Sequence, residues 1–225
     1  MLQIRKGEKM SQNKNKIAQR IAREISDGDV VNLGIGIPTS VCDYIPENIE
    51  VTIHSENGLI GLDKEAEEGF EDKDIINASG KHATIKNTGS FFDTAMSFNI
   101  IRGGHLDMTV LGALQVDGKG NIANWMIPGK LVPGMGGAMD LTVGAKRVIC
   151  AIIHQTKSGS SKIKEECNLP LTAEGEVDLI VTELAVMEVT EQGLLLKEIA
   201  EGTTVKEVVN KTEAELIISD DIKVF

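Results

Sequence analysis

The sequence predicts a single-domain α/β protein built on an open mixed sheet. β-type and helical segments alternate over the first part of the chain, which is typical of parallel strands covered by helices. Near the C-terminus two β-type segments are separated only by Glu191-Gln192, which predicts a hairpin and therefore antiparallel strands as well. With 225 residues, 41% of them hydrophobic, the chain is long enough to bury one large core.

The expected domain organisation is simple. Residues 1–13 are polar and without apolar periodicity, so we expect a flexible N-terminal arm, followed by one domain over residues 14–225. The N-terminal segment lacks the apolar stretch of a secretory signal, and no apolar run approaches the ~18 residues that a membrane span requires. The three cysteines are isolated, as is usual in a reducing compartment. We therefore expect a soluble cytoplasmic protein without membrane contacts.

Apolar periodicity and end signals predict the individual elements. Ile17, Ile21 and Ile25 recur at helical spacing, and Asp93 is placed to cap a second helix. The segment from Leu62 to Lys73 is acidic and unpatterned, which indicates an exposed loop. The other predicted elements are, in chain order, strands over 30–33, 50–54, 108–114 and 147–153, a hairpin of 184–190 with 193–199, a helix over 203–211 and a strand over 216–219.

Glu56 stands directly after a predicted strand, in the segment Ser55-Glu56-Asn57-Gly58. Asn57 and Gly58 tolerate a positive φ, so the chain can reverse there and direct the Glu56 carboxylate away from the strand end. If water is excluded and an activated carbonyl is held against it, such a carboxylate can form a covalent intermediate. A simpler alternative is that Ser55 and Glu56 only cap a turn. The local pattern leaves both interpretations open.

Two glycine-rich loops could bring backbone N–H groups close to an anion. Gly34-Ile35-Gly36-Ile37-Pro38 lies between a predicted strand and a predicted helix, but Thr39 stands where a dinucleotide-binding fingerprint has its third glycine. Gly134-Met135-Gly136-Gly137 has three glycines in four positions, which favours close approach of a ligand to the main chain. A tight turn packed under a helix is the alternative for the second loop.

Charge and residue spacing exclude several classes of function. A net charge of −11 argues against binding to nucleic acid or to an anionic membrane. The four histidines show no metal-ligand spacing, so we expect no metal site. The cysteines are interpreted as small buried hydrophobic residues rather than as nucleophiles. The cationic residues that could neutralise a phosphate, although most are expected to be solvated, are Lys81, Lys86, Lys130, Lys146 and Arg147.

Five motifs in this chain together resemble those of the β subunit of family I CoA-transferases. These are the 3-oxoacid CoA-transferases, which include the acetate/butyrate–acetoacetate, succinyl-CoA and 3-oxoadipate enzymes. The resemblance extends from about Ile17 to about Ser219, and the order and spacing of several motifs match at once. The motifs are Gly34–Pro38, Ser55–Gly58, Arg102–His105, Ala123–Lys130 and Gly134–Asp140.

This resemblance implies an open mixed-sheet fold of the CoA-transferase type, shared with glucosamine-6-phosphate deaminase-like proteins. It implies that Glu56 is the catalytic glutamate. It also implies that the loop containing Gly136 and Gly137 stabilises an oxyanion beside the thioester. The remaining candidates for oxyanion or coenzyme A contacts are Gly34, Gly36, Asn57 and Lys81.

The implied activity is ping-pong transfer of coenzyme A between a short-chain acyl-CoA and a carboxylic or 3-oxo acid. In this family a glutamate becomes a glutamyl-CoA thioester, so coenzyme A is a substrate and no permanently bound cofactor is needed. The implied partner is an α subunit of the same fold, commonly in an α2β2 assembly. The residues alone leave two alternatives open, a non-catalytic ligand-binding or regulatory module and a sugar-phosphate isomerase on the same fold.

Overall fold

The computed structural model describes residues 6–130, 132 and 134–225. Helices and strands alternate at first, and strands predominate near the C-terminus. In chain order the elements are α1 (Lys6–Ala22), β1 (Val30–Leu33), a 3-10 helix (Pro38–Tyr44), β2 (Thr52–Ser55), β3 (Leu59–Glu65), β4 (Ala83–Phe91), α2 (Thr94–Arg102), β5 (Met108–Gly112), β6 (Gln115–Asp117), β7 (Ile122–Ala123), α3 (Ala138–Gly144), β8 (Val148–Ala151), β9 (Ile163–Lys164), β10 (Leu179–Val181), β11 (Ala185–Thr190), β12 (Gly193–Ile199), α4 (Val205–Lys211) and β13 (Leu216–Val224).

Ten strands in the described part of the chain form one mixed sheet, in the order β13-β12-β11-β10-β8-β5-β1-β2-β3-β4. The five central strands, from β10 to β2, are all parallel. Antiparallel strands flank them on both sides, and β13 pairs in parallel with β12. A smaller sheet contains β7, β6 and β9. The predicted α/β class with an open mixed sheet is confirmed.

The central strands are apolar on both faces because helices cover the sheet from both sides. In β8, Val148 and Cys150 belong to one hydrophobic cluster, whereas Ile149 and Ala151 belong to the other. The helix α1 packs against the second cluster through a face that contains the fully buried Ile17. The helices α2, α3 and α4 contribute to the first cluster. Packing on both faces therefore fixes the positions of the parallel strand ends relative to one another.

The carboxyl ends of the five parallel strands lie along one edge of the sheet. The chain leaves β1 toward β2 on one side, and it leaves β5 toward β8 on the other side. Ligand-binding crevices of open α/β sheets form where the connections diverge in this way. Gly34 directly follows β1, and its N–H donates to the Val110 carbonyl of β5 at 2.9 Å. The first glycine-rich loop therefore begins at the point where a crevice is expected.

Most elements predicted from periodicity are confirmed. The strand over 30–33 has the predicted bounds, and the C-terminal hairpin pairs 185–190 with 193–199. Asp93 caps α2, since its carboxylate accepts a hydrogen bond from the Met96 amide at 2.8 Å. None of the helices in the described ranges has the length and apolar character needed to cross a membrane.

Parts of the sequence prediction were wrong or incomplete. The expected loop over 62–73 begins inside β3, which was not predicted, and neither were β4, β6, β7, β9 and β10. β4 is the outermost strand of the sheet and carries many exposed residues, so it lacks the apolar alternation of a half-buried strand. The expected arm over 1–13 is helical from Lys6 onward, and residues 1–5 lie outside the described residues. The extent of the domain, 14–225, stays a prediction.

A fully buried histidine links the end of β10 to the end of α4. His154 contacts the Thr182 and Thr212 hydroxyls at 3.0 Å each through its two ring nitrogens. Burial, assisted by the nearby Lys211 ammonium, lowers the pKa of His154 from 6.5 to about 4. The imidazole is therefore neutral in the folded chain at neutral pH, and two hydroxyl groups satisfy its nitrogens.

We expect acid to destabilise the fold through His154. Between pH 6.5 and pH 4 the unfolded chain takes up a proton at this histidine that the folded chain does not, so the free energy of unfolding falls as the pH falls. The full effect, reached below pH 4, is about 3 kcal/mol. Urea unfolding at pH 7 and pH 5 should show a smaller pH dependence for His154→Gln than for the wild type. The exposed His105 provides the control, because His105→Gln should keep the wild-type dependence. Equal dependence in His154→Gln and the wild type would contradict this prediction.

Candidate functional site

The turn that carries Glu56 requires glycine at position 58. This turn connects β2 to β3, and the Gly58 N–H donates to the Ser55 carbonyl at 3.1 Å. Gly58 has a φ of +116°, and a Cβ there would overlap the carbonyl oxygen of Phe92. The Phe92 N–H in turn donates to the Gly58 carbonyl at 2.9 Å. Two main-chain hydrogen bonds and a close approach therefore hold Glu56 at a defined position.

A buried histidine anchors the strand that precedes Glu56. Asn32 Nδ2 contacts both the Nδ1 atom and the carbonyl oxygen of His54 at 3.2 Å. Because a carbonyl only accepts, Nδ2 donates, His54 Nδ1 accepts, and the ring proton lies on Nε2, which donates to the Ser97 Oγ at 3.1 Å. Burial lowers the pKa of His54 to about 4. The neutral imidazole thus joins β1, β2 and α2 immediately behind the turn.

The Asn57 side chain belongs to the turn and does not line the cleft. Its Oδ1 accepts a hydrogen bond from Ser55 Oγ at 2.7 Å, and its Nδ2 donates to the Ile76 carbonyl at 2.8 Å. Ser55 Oγ also accepts from the Ala78 amide at 3.1 Å. Both functional groups of Asn57 are therefore used to tie the segment 76–78 to the turn, which gives no support to the predicted substrate contact.

The Glu56 carboxylate lies directly against the second glycine-rich loop. The Gly137 N–H favours the ionised carboxylate, and a Cβ on Gly137 would overlap Glu56 Oε2. A Cβ on Gly136 would lie 3.5 Å from Oε1, and Gly136 has a φ of +54°. Gly137 immediately precedes α3. The absence of a side chain at position 137 is therefore what allows the carboxylate to reach the main chain.

Opposing effects act on the protonation of Glu56. Burial is the largest and raises the pKa of this carboxyl above its ordinary value of 4.5, the Gly137 amide lowers it, and the Asp140 carboxylate raises it. Asp140 itself accepts a hydrogen bond from Arg102 Nε at 2.6 Å. The Arg102 guanidinium also lies 5.5 Å from the centre of the Phe98 ring. Arg102 therefore offsets part of the negative charge that Asp140 presents to Glu56.

Glu56 opens into a cleft of about 730 Å³ at the carboxyl edge of the sheet. The predicted site residues Gly34, Gly36, Glu56, Gly136 and Gly137 all line this cleft. Its walls are otherwise mainly apolar residues from the ends of β1, β5 and β8. The structure therefore brings together residues that are up to about a hundred positions apart in the sequence.

Lys81 lines a different cavity. This second cavity of about 860 Å³ shares Ile35 and Gly36 with the Glu56 cleft, so the two spaces adjoin. Lys81 is exposed there, and three acidic residues line the same cavity. They are Asp43, Glu47 and Asp63. An acidic lining does not favour a pyrophosphate, so the contact between Lys81 and a coenzyme A phosphate stays a prediction.

Sequence reasoning missed two lysines and an asparagine that line the cleft, namely Lys14, Asn124 and Lys162. Asn124 lies in a motif that carried the family resemblance, so the sequence contained a signal for it. Neither lysine has such a signal, because each stands in a polar segment that is typical of a solvated surface.

The candidates for thiol or metal chemistry are the three cysteines and the acidic and histidine side chains of the described residues. Burial raises the pKa of the Cys42 thiol to about 11 and that of Cys167 to about 12, while Cys150 is fully buried. These thiols are therefore protonated at neutral pH. In residues 6–130, 132 and 134–225, no group of three or more His, Cys, Asp or Glu residues is arranged to hold a metal ion.

Comparisons of sequence find the same family over most of the chain. The model of the Coenzyme A transferase family matches residues 14–211. The chain is 53% identical over 210 residues to the beta subunit of the acetate CoA-transferase of Haemophilus influenzae, covering 93% of this chain and 94% of that protein. It is 47% identical over 214 residues to a subunit of the probable succinyl-CoA:3-ketoacid coenzyme A transferase of Bacillus subtilis, covering 95% and 99%.

Solved structures show the same fold at lower identity. An acyl-CoA transferase from Escherichia coli O157:H7 has a TM-score of 0.76 at 23% identity, and the match covers 95% of this chain and 43% of that one. Glutaconate coenzyme A-transferase from Acidaminococcus fermentans has a TM-score of 0.73 at 18% identity, covering 95% and 88%. The decarboxylase AibA/AibB has a TM-score of 0.70 at 18% identity. Because a decarboxylase shares the fold, the fold alone does not decide the chemistry.

The sequence comparisons identify the family, which the fold alone does not, because the relatives are about 50% identical over nearly the whole chain. The resemblance inferred from the five motifs is confirmed. The chain belongs to the coenzyme A transferase family.

Proposed function

We propose that this chain is the β subunit of a CoA-transferase that moves coenzyme A between a short-chain acyl-CoA and a carboxylic or 3-oxo acid. The observation that carries the proposal is the half-buried Glu56 carboxylate, held against the main chain of Gly136 and Gly137 in a cleft of about 730 Å³. The family match and the names of the relatives support the same activity. A regulatory module would not need a reactive carboxylate at this position.

The reaction proceeds by exchange of thioester and anhydride bonds on Glu56. The carboxylate attacks the thioester carbonyl of the acyl-CoA, which forms an acyl-glutamyl anhydride and releases the coenzyme A thiolate. The thiolate attacks the Glu56 side-chain carbonyl, which forms glutamyl-CoA and releases the first acid. The second acid then attacks glutamyl-CoA, and the same steps run in reverse. Each bond that forms replaces one that breaks, so no redox partner is required.

The main chain at Gly137 is placed to assist the steps in which the Glu56 carbonyl is attacked. Its N–H favours the negative charge of the Glu56 carboxylate, and it would stabilise the oxyanion that forms when a thiolate or an acid adds to the side-chain carbon. One oxyanion donor contributes about 3–4 kcal/mol. Holding the reactants in contact contributes about 7–11 kcal/mol. Together these effects are large enough to make a carboxylate a useful nucleophile.

Coenzyme A enters this scheme as a substrate and as part of the covalent intermediate, and no permanently bound cofactor is proposed. The relatives are named as single subunits of larger enzymes, which supports a partner α subunit for this chain. We propose that the two chains form the active enzyme, as an α2β2 assembly in the cytoplasm, and that the isolated chain is inactive.

The direct test of this function is a covalent adduct on Glu56. The chain, purified together with its α subunit, is incubated with acetoacetyl-CoA and the peptide containing Glu56 is analysed by mass spectrometry. We expect a mass increase from coenzyme A on that peptide. Glu56→Ala should lose both the adduct and acyl exchange, whereas the exposed control Glu67→Ala should keep both. Normal exchange in Glu56→Ala would overturn the proposal.

Gly137→Ala should lower activity because the added Cβ would overlap Glu56 Oε2 and displace the carboxylate from the amide. We expect kcat to fall by about 100-fold to 1,000-fold, the usual effect of removing one oxyanion donor. The control is Gly118→Ala, since the nearest atom to a Cβ there is Leu194 Cβ at an ordinary 3.6 Å. Steady-state kinetics should find the control close to the wild type. Equal activities of the two variants would show that the contact does not matter.

Asp140 and Arg102 should move the pH dependence in opposite directions. Glu56 must be ionised to attack, so kcat/KM rises with pH through the pKa of Glu56. Asp140→Asn removes a nearby negative charge, lowers that pKa and should move the acidic limb to lower pH. Arg102→Met leaves Asp140 without its ion pair and should move the limb to higher pH.

The measurement for these two variants is the acidic limb of the pH–rate profile, compared with the exposed control Asp220→Asn. We expect the control to coincide with the wild type. Movement of both site variants in the same direction would contradict the proposed electrostatics.

A further inference from the structure

Lys162 is a cationic residue that lines the cleft containing Glu56. It immediately precedes β9, and its backbone is fixed on both sides. The Lys162 N–H donates to the His154 carbonyl at 3.0 Å, and its carbonyl accepts from the Val116 N–H at 3.1 Å. The residue lines the same cleft as Glu56 and is half-buried. Lys14, the other lysine of the cleft lining, is exposed on α1.

No acceptor in the described part of the chain lies within hydrogen-bond or ion-pair distance of the Lys162 ammonium. Burial lowers the pKa of Lys162, while Cys150 and the Glu183 carboxylate act in the opposite direction from a greater distance. Glu183 itself accepts a hydrogen bond from the His154 amide at 2.9 Å. Because no protein group competes for this partly buried ammonium, an anionic ligand in the cleft can pair with it directly.

Lys162 and Glu56 reach the cleft from different strand ends of the sheet. Glu56 follows β2, and the Lys162 N–H is hydrogen-bonded to His154, which comes three residues after β8. The strands β1 and β5 lie between β2 and β8. Three strand spacings of about 4.8 Å place the two strand ends about 14 Å apart. Both side chains line the space between. An acid whose reacting carboxylate meets Glu56 therefore extends its other end toward Lys162.

We propose that Lys162 is a specificity-determining residue that binds a carboxylate at the far end of the acid, so that the enzyme favours dicarboxylic acids over monocarboxylic acids of equal length. The inference rests on the proposed function. An ammonium held in a partly dry wall discriminates strongly between an anionic group and a methyl group, because the methyl group leaves the cation unpaired. A monocarboxylic acid of the same length gains nothing from the lysine.

The test compares succinate with butyrate, which have four carbons each and differ at the far end. The wild-type chain with its α subunit should show the higher kcat/KM for succinate. In Lys162→Met the ratio of kcat/KM for succinate to that for butyrate should fall at least tenfold, and Lys162→Arg should restore part of it. The exposed control Lys157→Met should keep the wild-type ratio. Thermal unfolding of each variant, measured alongside, identifies losses that come from folding alone.

The outcomes separate this inference from the function on which it rests. If the wild type exchanges coenzyme A with neither acid nor with acetoacetate, the proposed function itself fails. If the wild type exchanges but Lys162→Met loses activity equally with both acids, the lysine contacts coenzyme A or supports the fold, and the inference is overturned. An unchanged ratio, or a wild type that uses butyrate but not succinate, overturns it as well.

Discussion

The contact between the Glu56 carboxylate and the main chain of Gly137 is the interaction on which the proposed chemistry depends. Burial makes the carboxylate harder to ionise, and the Gly137 amide makes it easier. In the proposed mechanism the same amide stabilises the oxygen that carries negative charge when the glutamyl carbonyl is attacked. A Cβ at position 137 would occupy the place of that oxygen, so the contact exists only because residue 137 has no side chain.

The rest of the fold holds Glu56 and Gly137 in the positions that this contact requires. Five parallel strands buried on both faces end at one edge, and the loops that follow them form the walls of the cleft. The neutral His54 holds the strand before Glu56 to β1 and α2. Gly58 closes the turn after it against Phe92. The long Glu56 side chain is therefore positioned by rigid neighbours on both sides, and the proposed mechanism depends on such positioning.

The distribution of charge explains how an acidic protein can accept anionic substrates. A net charge of −11 gives no general attraction for acids or for coenzyme A. The cleft instead offers local features, which are the glycine-rich main chain of 134–137, the Lys162 ammonium and an Arg102–Asp140 ion pair near Glu56. Such an arrangement acts over a few ångströms, so it recognises the position of an anionic group rather than its charge alone.

The sequence by itself determined those features that depend on residues close together in the chain. These are the α/β class, the Asp93 cap, the C-terminal hairpin, the turn that carries Glu56 and the family, because each depends on residues close together or on several motifs in order. Only the tertiary structure decided that Asn57 serves the turn, that Lys81 lies in a second cavity, that β3 extends into an expected loop and that Lys162 lines the cleft. Those outcomes depend on which segments become neighbours in the folded chain, and such contacts leave no local periodicity or spacing in a single sequence.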